Sequence, residues 1–199
     1  MSVPGPASRT TGPAATAPNR GPAAAAGNRA ALLASARRLF AAQGYAVPLS
    51  AVAKDAGVGQ GTLYRHFPTR EALAAGVVED TMSRLVARAA TTSGPGAFGT
   101  LWRQVVETLV DSVGFLDVVL GPRGELHGRL PAAELADLLA GPLEQARAAG
   151  LVDADLTLAD VMLTLAMVHG AAHRVDGAAG RRDAAYRALA LVGRGLQLG

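Results

Sequence analysis

The stretch AGVGQGTLYRHF, Ala56 to Phe67, limits the fold more than any other part of this sequence. Three glycines within five residues are typical of a phosphate-binding loop, whereas the aromatic and basic residues after them are typical of a helix that contacts nucleic acid. A dinucleotide loop has the pattern G-x-G-x-x-G after a strand, but Thr62 stands in place of the third glycine and the preceding LSAVAKDA has helical spacing. A Walker A loop needs a lysine after its glycines, and the only lysine, Lys54, precedes them. The sequence therefore excludes both phosphate loops.

A helix-turn-helix is the alternative that fits this stretch. A short helix that begins at Pro48 would be followed by a tight turn at Gly57 and by a second helix, residues 59–67, whose first residues can enter the major groove of DNA. The small residues Gly59 and Gly61 would let the start of that helix approach the DNA backbone closely. The pattern predicts a DNA-binding element.

Helices are also predicted on both sides of this element. Apolar residues recur at three- and four-residue spacing after Asn28, a good N-cap, until Gly44 ends the first helix. Thr69 caps a fourth helix that runs from Arg70 to about residue 90. Four more helical patterns follow over residues 97–113, 131–149, 156–176 and 183–196. Because no segment shows sustained alternation, we predict an all-α fold.

Four regions follow from these patterns. We predict a disordered tail over residues 1–27, a three-helix helix-turn-helix domain over 28–73, a connecting helix and loop over 74–96, and a second helical domain over 97–199. The prolines of the tail block a continuous helix, and its Arg9 and Arg20 either reach a DNA groove or are simply solvated.

Charge differs between the two halves of the chain. Residues 1–92 hold ten basic and four acidic residues, a balance of +6, and residues 93–199 hold nine basic and twelve acidic residues, a balance of −3. This asymmetry places a polyanion partner at the N-terminal half, although arginines on ordinary solvated faces would give the same balance. The sequence has no cysteine, no signal-peptide pattern and no apolar run of membrane-spanning length, so we expect a cytoplasmic protein that does not bind membranes.

Residues 32–73, LLASARRLFAAQGYAVPLSAVAKDAGVGQGTLYRHFPTREAL, resemble the N-terminal domain of the TetR family of bacterial transcriptional regulators. The similarity includes the Leu-Phe and Gly-Tyr of the first helix, the Val-Ala-x-x-Ala-Gly-Val of the turn and the Gly-Thr-Leu-Tyr-x-His-Phe of the recognition helix. Two positions depart from the family: Pro48 replaces the usual threonine cap, where nearby Ser50 can substitute, and Gly59 replaces a more usual serine. The resemblance implies a DNA-binding regulator rather than an enzyme, and no catalytic set or cofactor loop is present in the sequence.

The resemblance also implies which side chains contact DNA. Gln60, Gly61, Thr62 and Tyr64 would face DNA, with Tyr64 also contacting phosphate. His66 would contact phosphate as well, Arg70 stands where the family usually has a phosphate-binding lysine, and Arg65 occupies a variable position that can reach a base edge. Gln60 can pair with adenine in the major groove or be solvated at the start of the helix.

The family places a variable ligand-binding and dimerisation domain after the fourth helix, and residues 97–199 match it in length and class. The abundant Ala, Leu and Val predict an apolar pocket for an unknown small-molecule effector. Six residues are candidates for lining it: Trp102, Phe115, His127, Met162, Met167 and His169. His169 and His173 are one helical turn apart, but without a third ligand they do not make a metal site, and no cofactor is expected.

The last two helical segments have wide apolar faces, which in this family form a four-helix dimer interface. The faces include Val161, Leu165, Val168 and Ala172 in one helix and Tyr186, Leu189 and Ala190 in the other, and an intramolecular core is the alternative use. The resemblance thus implies a homodimeric, ligand-responsive repressor of a palindromic operator. The alternatives are a small-molecule-binding helical protein, or a non-specific DNA binder, with a vestigial helix-turn-helix.

Overall fold

The computed structural model describes residues 21–120, 132–175 and 177–196, and these ranges contain helices and no strand. The predicted all-α fold is thereby confirmed. Within these ranges no helix is long and apolar enough to cross a membrane. The helices are α1 (Pro22–Gln43), α2 (Leu49–Asp55), α3 (Gln60–His66), α4 (Arg70–Thr91), α5 (Ala97–Leu120), α6 (Ala132–Ala148), α7 (Leu158–His173) and α8 (Ala178–Leu196).

The first helix begins seven residues earlier than the sequence predicts. Gly21 is its N-cap and Pro22 occupies the first turn, so Asn28 is not a cap but an interior residue. A proline at the first helical position sacrifices no hydrogen bond, because the N–H that it lacks would be unpaired there anyway. Residues 22–27, predicted as tail, are therefore helical, while the predicted tail residues 1–20 lie outside the described part of the chain.

Local capping chemistry explains the other helix starts. The Thr69 side chain accepts a hydrogen bond from the Ala72 N–H at 3.0 Å, as predicted for α4. Thr157 begins α7 with a capping box, because its hydroxyl accepts from the Asp160 N–H while the Asp160 carboxylate accepts from the Thr157 N–H. Pro48 is the N-cap of α2 rather than its first helical residue.

A first hydrophobic core joins helices α1 to α4. Its fully buried side chains include Leu32 and Phe40 of α1, Val52 of α2, Leu63 of α3 and Leu73 of α4. The first residues of α4 thus belong to the same core as the helix-turn-helix, so the orientation of α2 and α3 depends on that of α4.

A second core joins α5 to α8 and the later part of α4. Leu85 of α4 packs there with Leu101 of α5, Leu139 of α6 and Val168 of α7. Helix α4 therefore contributes to both cores, and Leu116 of α5 packs against the first one. The two halves of the chain are connected by packed side chains as well as by the backbone.

The structure divides the apolar surface of α7 differently from our prediction. The face expected at a dimer interface, which includes Val161, Leu165, Val168 and Ala172, is buried in the second core. These side chains therefore form an intramolecular core, the alternative use that the sequence left open for this face. The large exposed apolar residues of α7 are Leu163, 59% exposed, and Met167, 46% exposed.

Candidate DNA-binding face and ligand cavity

Helices α2 and α3 are connected by a turn that requires glycine. Gly57 has a φ of +65°, which is unfavourable for residues with a Cβ atom. The Val58 N–H donates to the carbonyl oxygen of Ala53 at 2.9 Å and the Gly57 N–H donates to that of Lys54 at 3.1 Å, so the turn satisfies the last carbonyls of α2. The sequence prediction of a tight turn at this position agrees with this geometry.

The core side of α3 is formed by Leu63, with Phe67 just after the helix, and both are buried. The opposite side is open to solvent: Tyr64 is 50% exposed, Arg65 is exposed, and the Arg65 Nη2 donates to Thr62 Oγ1 at 2.8 Å. The predicted DNA-contacting residues of this region lie together on that open side or at the start of α2: Ser50, Gln60, Gly61 and Tyr64 are exposed, and Thr62 and His66 are half-buried.

Arg70 has a different environment from a surface phosphate ligand. Its Nη1 donates to the carbonyl oxygen of Tyr45 at 2.6 Å and to that of Val47, and its guanidinium lies over the Tyr45 ring, 5.5 Å from the centroid. The residue is half-buried. Its bonds run to the loop between α1 and α2, so Arg70 attaches the start of α4 to the chain that leads into α2.

The neighbouring Glu71 strengthens the same attachment. The Tyr45 hydroxyl donates to Glu71 Oε1 at 2.9 Å. The pKa of Glu71 is held below its usual range mainly because the carboxylate accepts a hydrogen bond from its own backbone N–H, and also because it accepts one from Tyr45. Burial, followed by the bond to Glu71, raises the pKa of the Tyr45 hydroxyl. Tyr45 is consequently a neutral donor at physiological pH.

Lys54 is a basic residue of this face that our sequence prediction missed. It is exposed at the end of α2 and lines a shallow groove between α2 and α3 together with Ser50 and Gln60. Lys54 comes four residues after Ser50, and this spacing in the sequence indicates that the two side chains share a helix face.

Helix α2 is held against α1 by a polar cluster. Ser35 is buried, and its Oγ lies 3.1 Å from the Val52 carbonyl oxygen and 2.6 Å from Asp55 Oδ2. Arg38 Nη2 donates to the same carboxylate oxygen at 2.6 Å. Hydrogen bonds from Ser35 and then Arg38 keep the pKa of Asp55 below its usual range. This cluster fixes the helix that precedes the recognition helix.

A cavity of about 380 Å³ lies between α4, α5, α6 and α7. Its described lining residues are Val78, Thr81, Met82, Leu85, Val105, Thr108, Leu109, Ser112, Leu116, Ala132, Leu135, Met162, Leu165, Ala166 and His169. They are mostly aliphatic, with three hydroxyl groups and one imidazole. A small apolar molecule fits such a site.

Two of the six candidate pocket residues, Met162 and His169, line this cavity. Trp102 instead stacks on Phe98 with ring centroids 6.3 Å apart, and Met167 is exposed, so neither lines it. The Phe115 side chain and His127 lie outside the part of the chain that the structure describes. The rings of His169 and His173 stack at 6.1 Å, and no group of three potential metal ligands occurs among the described residues.

The wall that α4 contributes to the cavity also contacts α1. Arg37 forms an ion pair with Asp80, and its Nε lies 3.4 Å from Thr81 Oγ1, the hydroxyl of a lining residue. Arg84 Nε donates to Asp80 at 2.8 Å. Burial raises the pKa of Asp80, but Arg84 and Arg37 together outweigh it and lower the pKa below its usual range. Two adjacent residues of α4 therefore contact different regions: Asp80 pairs with Arg37 of α1, and Thr81 lines the cavity.

Comparisons with known proteins agree with this geometry. The family model for bacterial regulatory proteins of the tetR family matches residues 32–77. A TetR transcription regulatory protein from Mycobacterium vanbaalenii is 34% identical, with 87% of this chain and 97% of that chain covered and a TM-score of 0.65. A TetR transcriptional regulator from Streptomyces coelicolor is 31% identical over 84% of this chain and 97% of that one, with a TM-score of 0.64.

The chain belongs to the TetR family. It is thus a DNA-binding transcriptional regulator with an N-terminal helix-turn-helix followed by a helical domain. A third solved structure, described as the molecular basis for control of antibiotic production by a bacterial hormone, is 27% identical over 82% of this chain and 92% of that chain, with a TM-score of 0.62. No curated protein matches the sequence.

This TetR-family chain also has large exposed apolar side chains on α7 and α8. Leu163 and Met167 are one turn apart on α7, and Tyr186 and Leu191 are exposed on α8, where Leu191 is 63% exposed. Gly170, one turn after Met167, has no neighbouring heavy atom that a Cβ would meet within 4 Å. Another helix can therefore approach α7 closely at Gly170.

Proposed function

We propose that this protein is a homodimeric repressor that binds a palindromic operator and releases it when an apolar small molecule enters the cavity. The observation that carries the proposal is the position of Val78. This residue is buried in the core of the helix-turn-helix domain and also lines the cavity. A molecule in the cavity would thus contact a side chain on which the orientation of the DNA-binding helices depends.

The exposed side of α3 supports sequence-specific DNA binding as the first activity. Gln60 can donate and accept two hydrogen bonds at an adenine edge, and Arg65 can do so at a guanine edge. Tyr64 and Lys54 supply phosphate contacts on either side of them, and Ser50 and His66 add two more polar groups. The face thus holds both base-contacting and phosphate-contacting side chains, as sequence-specific binding requires.

Dimerisation through α7 and α8 supports a palindromic operator. Large exposed apolar side chains on two neighbouring helices indicate a surface that another protein covers. A second copy of the chain would bury Leu163 and Met167 and place two recognition helices on one DNA molecule, about 34 Å apart. Dimerisation and operator symmetry are therefore one hypothesis.

Release by a ligand follows from thermodynamic linkage. A molecule that binds the form with low DNA affinity more tightly by about 1–3 kcal/mol lowers operator affinity by the same factor, about 5- to 150-fold. The relationship to a structure described in terms of a bacterial hormone supports a small-molecule effector. As a regulator of this kind the protein would act in the bacterial cytoplasm.

Fluorescence anisotropy at fixed salt tests DNA binding, with duplexes from the DNA that flanks the gene. We expect tight, sequence-dependent binding by the wild type and a loss of at least about tenfold in Tyr64→Ala, since a lost charge-assisted contact costs about 1.5–3 kcal/mol. Leu151→Ala is the matched control, because Leu151 is 54% exposed but lies far along the chain between α6 and α7. Binding that is indifferent to sequence would identify a non-specific DNA binder, and no binding would leave a small-molecule-binding protein.

A further inference from the structure

We propose that the effector is an uncharged, largely hydrocarbon molecule with a small hydrogen-bonding group such as a hydroxyl, ester or ketone. This inference rests on the proposed function, because it names the chemical class of the molecule that the cavity binds.

The described lining disfavours a charged effector. None of its side chains is Lys, Arg, Asp or Glu, so no permanently charged side chain is available for an ion pair, and none is Phe, Tyr or Trp, the rings that bind cations best. Its one titratable side chain is the imidazole of His169. Asp80 precedes the lining residue Thr81, but its carboxylate is paired with Arg37 and Arg84 and does not line the cavity. A charged group that enters this site would lose its hydration without gaining a permanently charged partner among the described lining residues.

The polar groups of the lining fit neutral hydrogen-bonding partners. Thr81 on α4 and Thr108 and Ser112 on α5 have hydroxyl groups, which both donate and accept. Thr108 and Ser112 are four residues apart and therefore lie on the same face of α5. These hydroxyls can donate to a carbonyl oxygen or accept from an alcohol, but they cannot neutralise a carboxylate or an ammonium group.

The cavity volume points to a small molecule. At about 380 Å³ the cavity is near the lower end of the range of about 300–1,000 Å³ typical of ligand sites. Most of the wall consists of Val, Leu, Met and Ala side chains, which a hydrocarbon chain or ring would fill. The bound molecule would thus be mainly aliphatic, with its polar group toward α4 and α5.

A series of three probes with one alkyl chain tests the inference. Binding of decanol, decanoate and decylammonium to the full-length protein is measured by isothermal titration calorimetry at pH 8, where imidazole groups are typically neutral. We expect decanol to bind at least about tenfold more tightly than either ion, because only the ions must bury an unpaired charge. Decanoate or decylammonium binding as tightly as decanol, or no binding of decanol, would overturn the inference.

Two pairs of variants locate the binding in the cavity. Met162 lines the cavity, and Leu151, in the connection between α6 and α7, is exposed outside it. Met162→Trp fills the cavity without adding charge, so it should weaken decanol binding at least about tenfold, whereas Leu151→Trp should not. Met162→Arg supplies a cation, so it should tighten decanoate binding relative to the wild type, and Leu151→Arg should leave it unchanged. Equal effects at both positions would place the binding elsewhere and refute the inference.

DNA binding by the same preparation separates this inference from the proposed function. A protein that binds its flanking DNA specifically but prefers a charged probe retains the proposed function and refutes the neutral effector. A protein that prefers decanol but shows no sequence-dependent DNA binding retains the neutral site and refutes the proposed repressor.

Discussion

Gly76 is the position in α4 where the contact between the recognition helix and the rest of the molecule can be tested with one methyl group. A Cβ at Gly76 would lie 2.9 Å from Phe67 Cε1 and 3.1 Å from Leu33 Cδ2. Both neighbours are buried, at 3% and 2% exposure, and Phe67 directly follows α3. Neither side chain can rotate into solvent, so Gly76→Ala must displace the ring, the leucine or α4 itself.

The sign of the stability change depends on three opposing contributions. Alanine is favoured over glycine in a helix by about 1 kcal/mol, and burial of one methyl group adds somewhat less than about 1 kcal/mol. Overpacking of a core costs about 1–3 kcal/mol, and two short contacts with buried side chains favour the upper end of that range. We therefore expect Gly76→Ala to be less stable than the wild type by about 1 kcal/mol, which lowers Tm by roughly 2–4 °C in a protein of this size.

Gly99→Ala is the matched control, because Gly99 is in the first turn of α5, exposed, and without a neighbour within 4 Å of its Cβ position. It should be more stable than the wild type by about 0.5–1 kcal/mol. Urea denaturation followed by circular dichroism measures both changes, and anisotropy measures operator affinity, which Gly76→Ala should lower and Gly99→Ala should not. Stabilisation of similar size in both variants would show that the packing argument is wrong.

Three further substitutions test contacts described above. Arg70→Ala should lower the free energy of unfolding by about 1–3 kcal/mol, since two partly buried carbonyl groups lose a charged donor. An unchanged stability with weakened DNA binding would instead show Arg70 to be a phosphate contact. Asp80→Asn should destabilise the protein at pH 7, and the difference in stability from the wild type should shrink progressively as the pH falls below about 4. A carboxylate with a lowered folded-state pKa contributes its full stability above its unfolded pKa and loses it as pH falls through the folded-state pKa. A difference that does not shrink in acid would contradict the ion-pair explanation. Leu163→Glu should convert a dimer to a monomer in analytical ultracentrifugation while Leu151→Glu, at a similar exposure, should not, and a dimer in both variants would rule out the α7 surface.

The helix-turn-helix could be predicted from sequence because its determinants are local. Gly57 supplies a positive φ, Thr69 supplies a cap, and Leu63 and Phe67 are four residues apart on one face. Each acts over a few residues and is visible in the sequence. The predicted start of α1 is wrong because proline has two opposite effects. Pro22 would break a helix in its interior but is compatible with the first turn, and local sequence alone does not distinguish these positions.

The roles of Met162 and Met167 could not be separated from sequence. Five residues along an α-helix correspond to a rotation of roughly 140° in projection, so the two side chains lie on different faces. Helix α7 is apolar on most of its circumference, which means that periodicity does not identify the faces that α5, α6 and α8 cover. The partners of Arg70 were equally hidden, because the carbonyls of Tyr45 and Val47 are brought to it only when α1, α2 and α4 pack together.

Helix α4 connects the helix-turn-helix domain to the cavity through side chains that contact both. Val78 belongs to the first core and to the cavity wall, and Thr81 lines the cavity while its hydroxyl lies beside Arg37 of α1. In the mechanism proposed above, a ligand group that forms a hydrogen bond with Thr81 would compete for the atom that Arg37 approaches, and a ligand that displaces Val78 would perturb the core that supports α3. Both effects would disfavour the arrangement of the helix-turn-helix described above. Because close packing leaves few intermediate positions for these side chains, even a small shift at the cavity must be accommodated by α1, α4 or both.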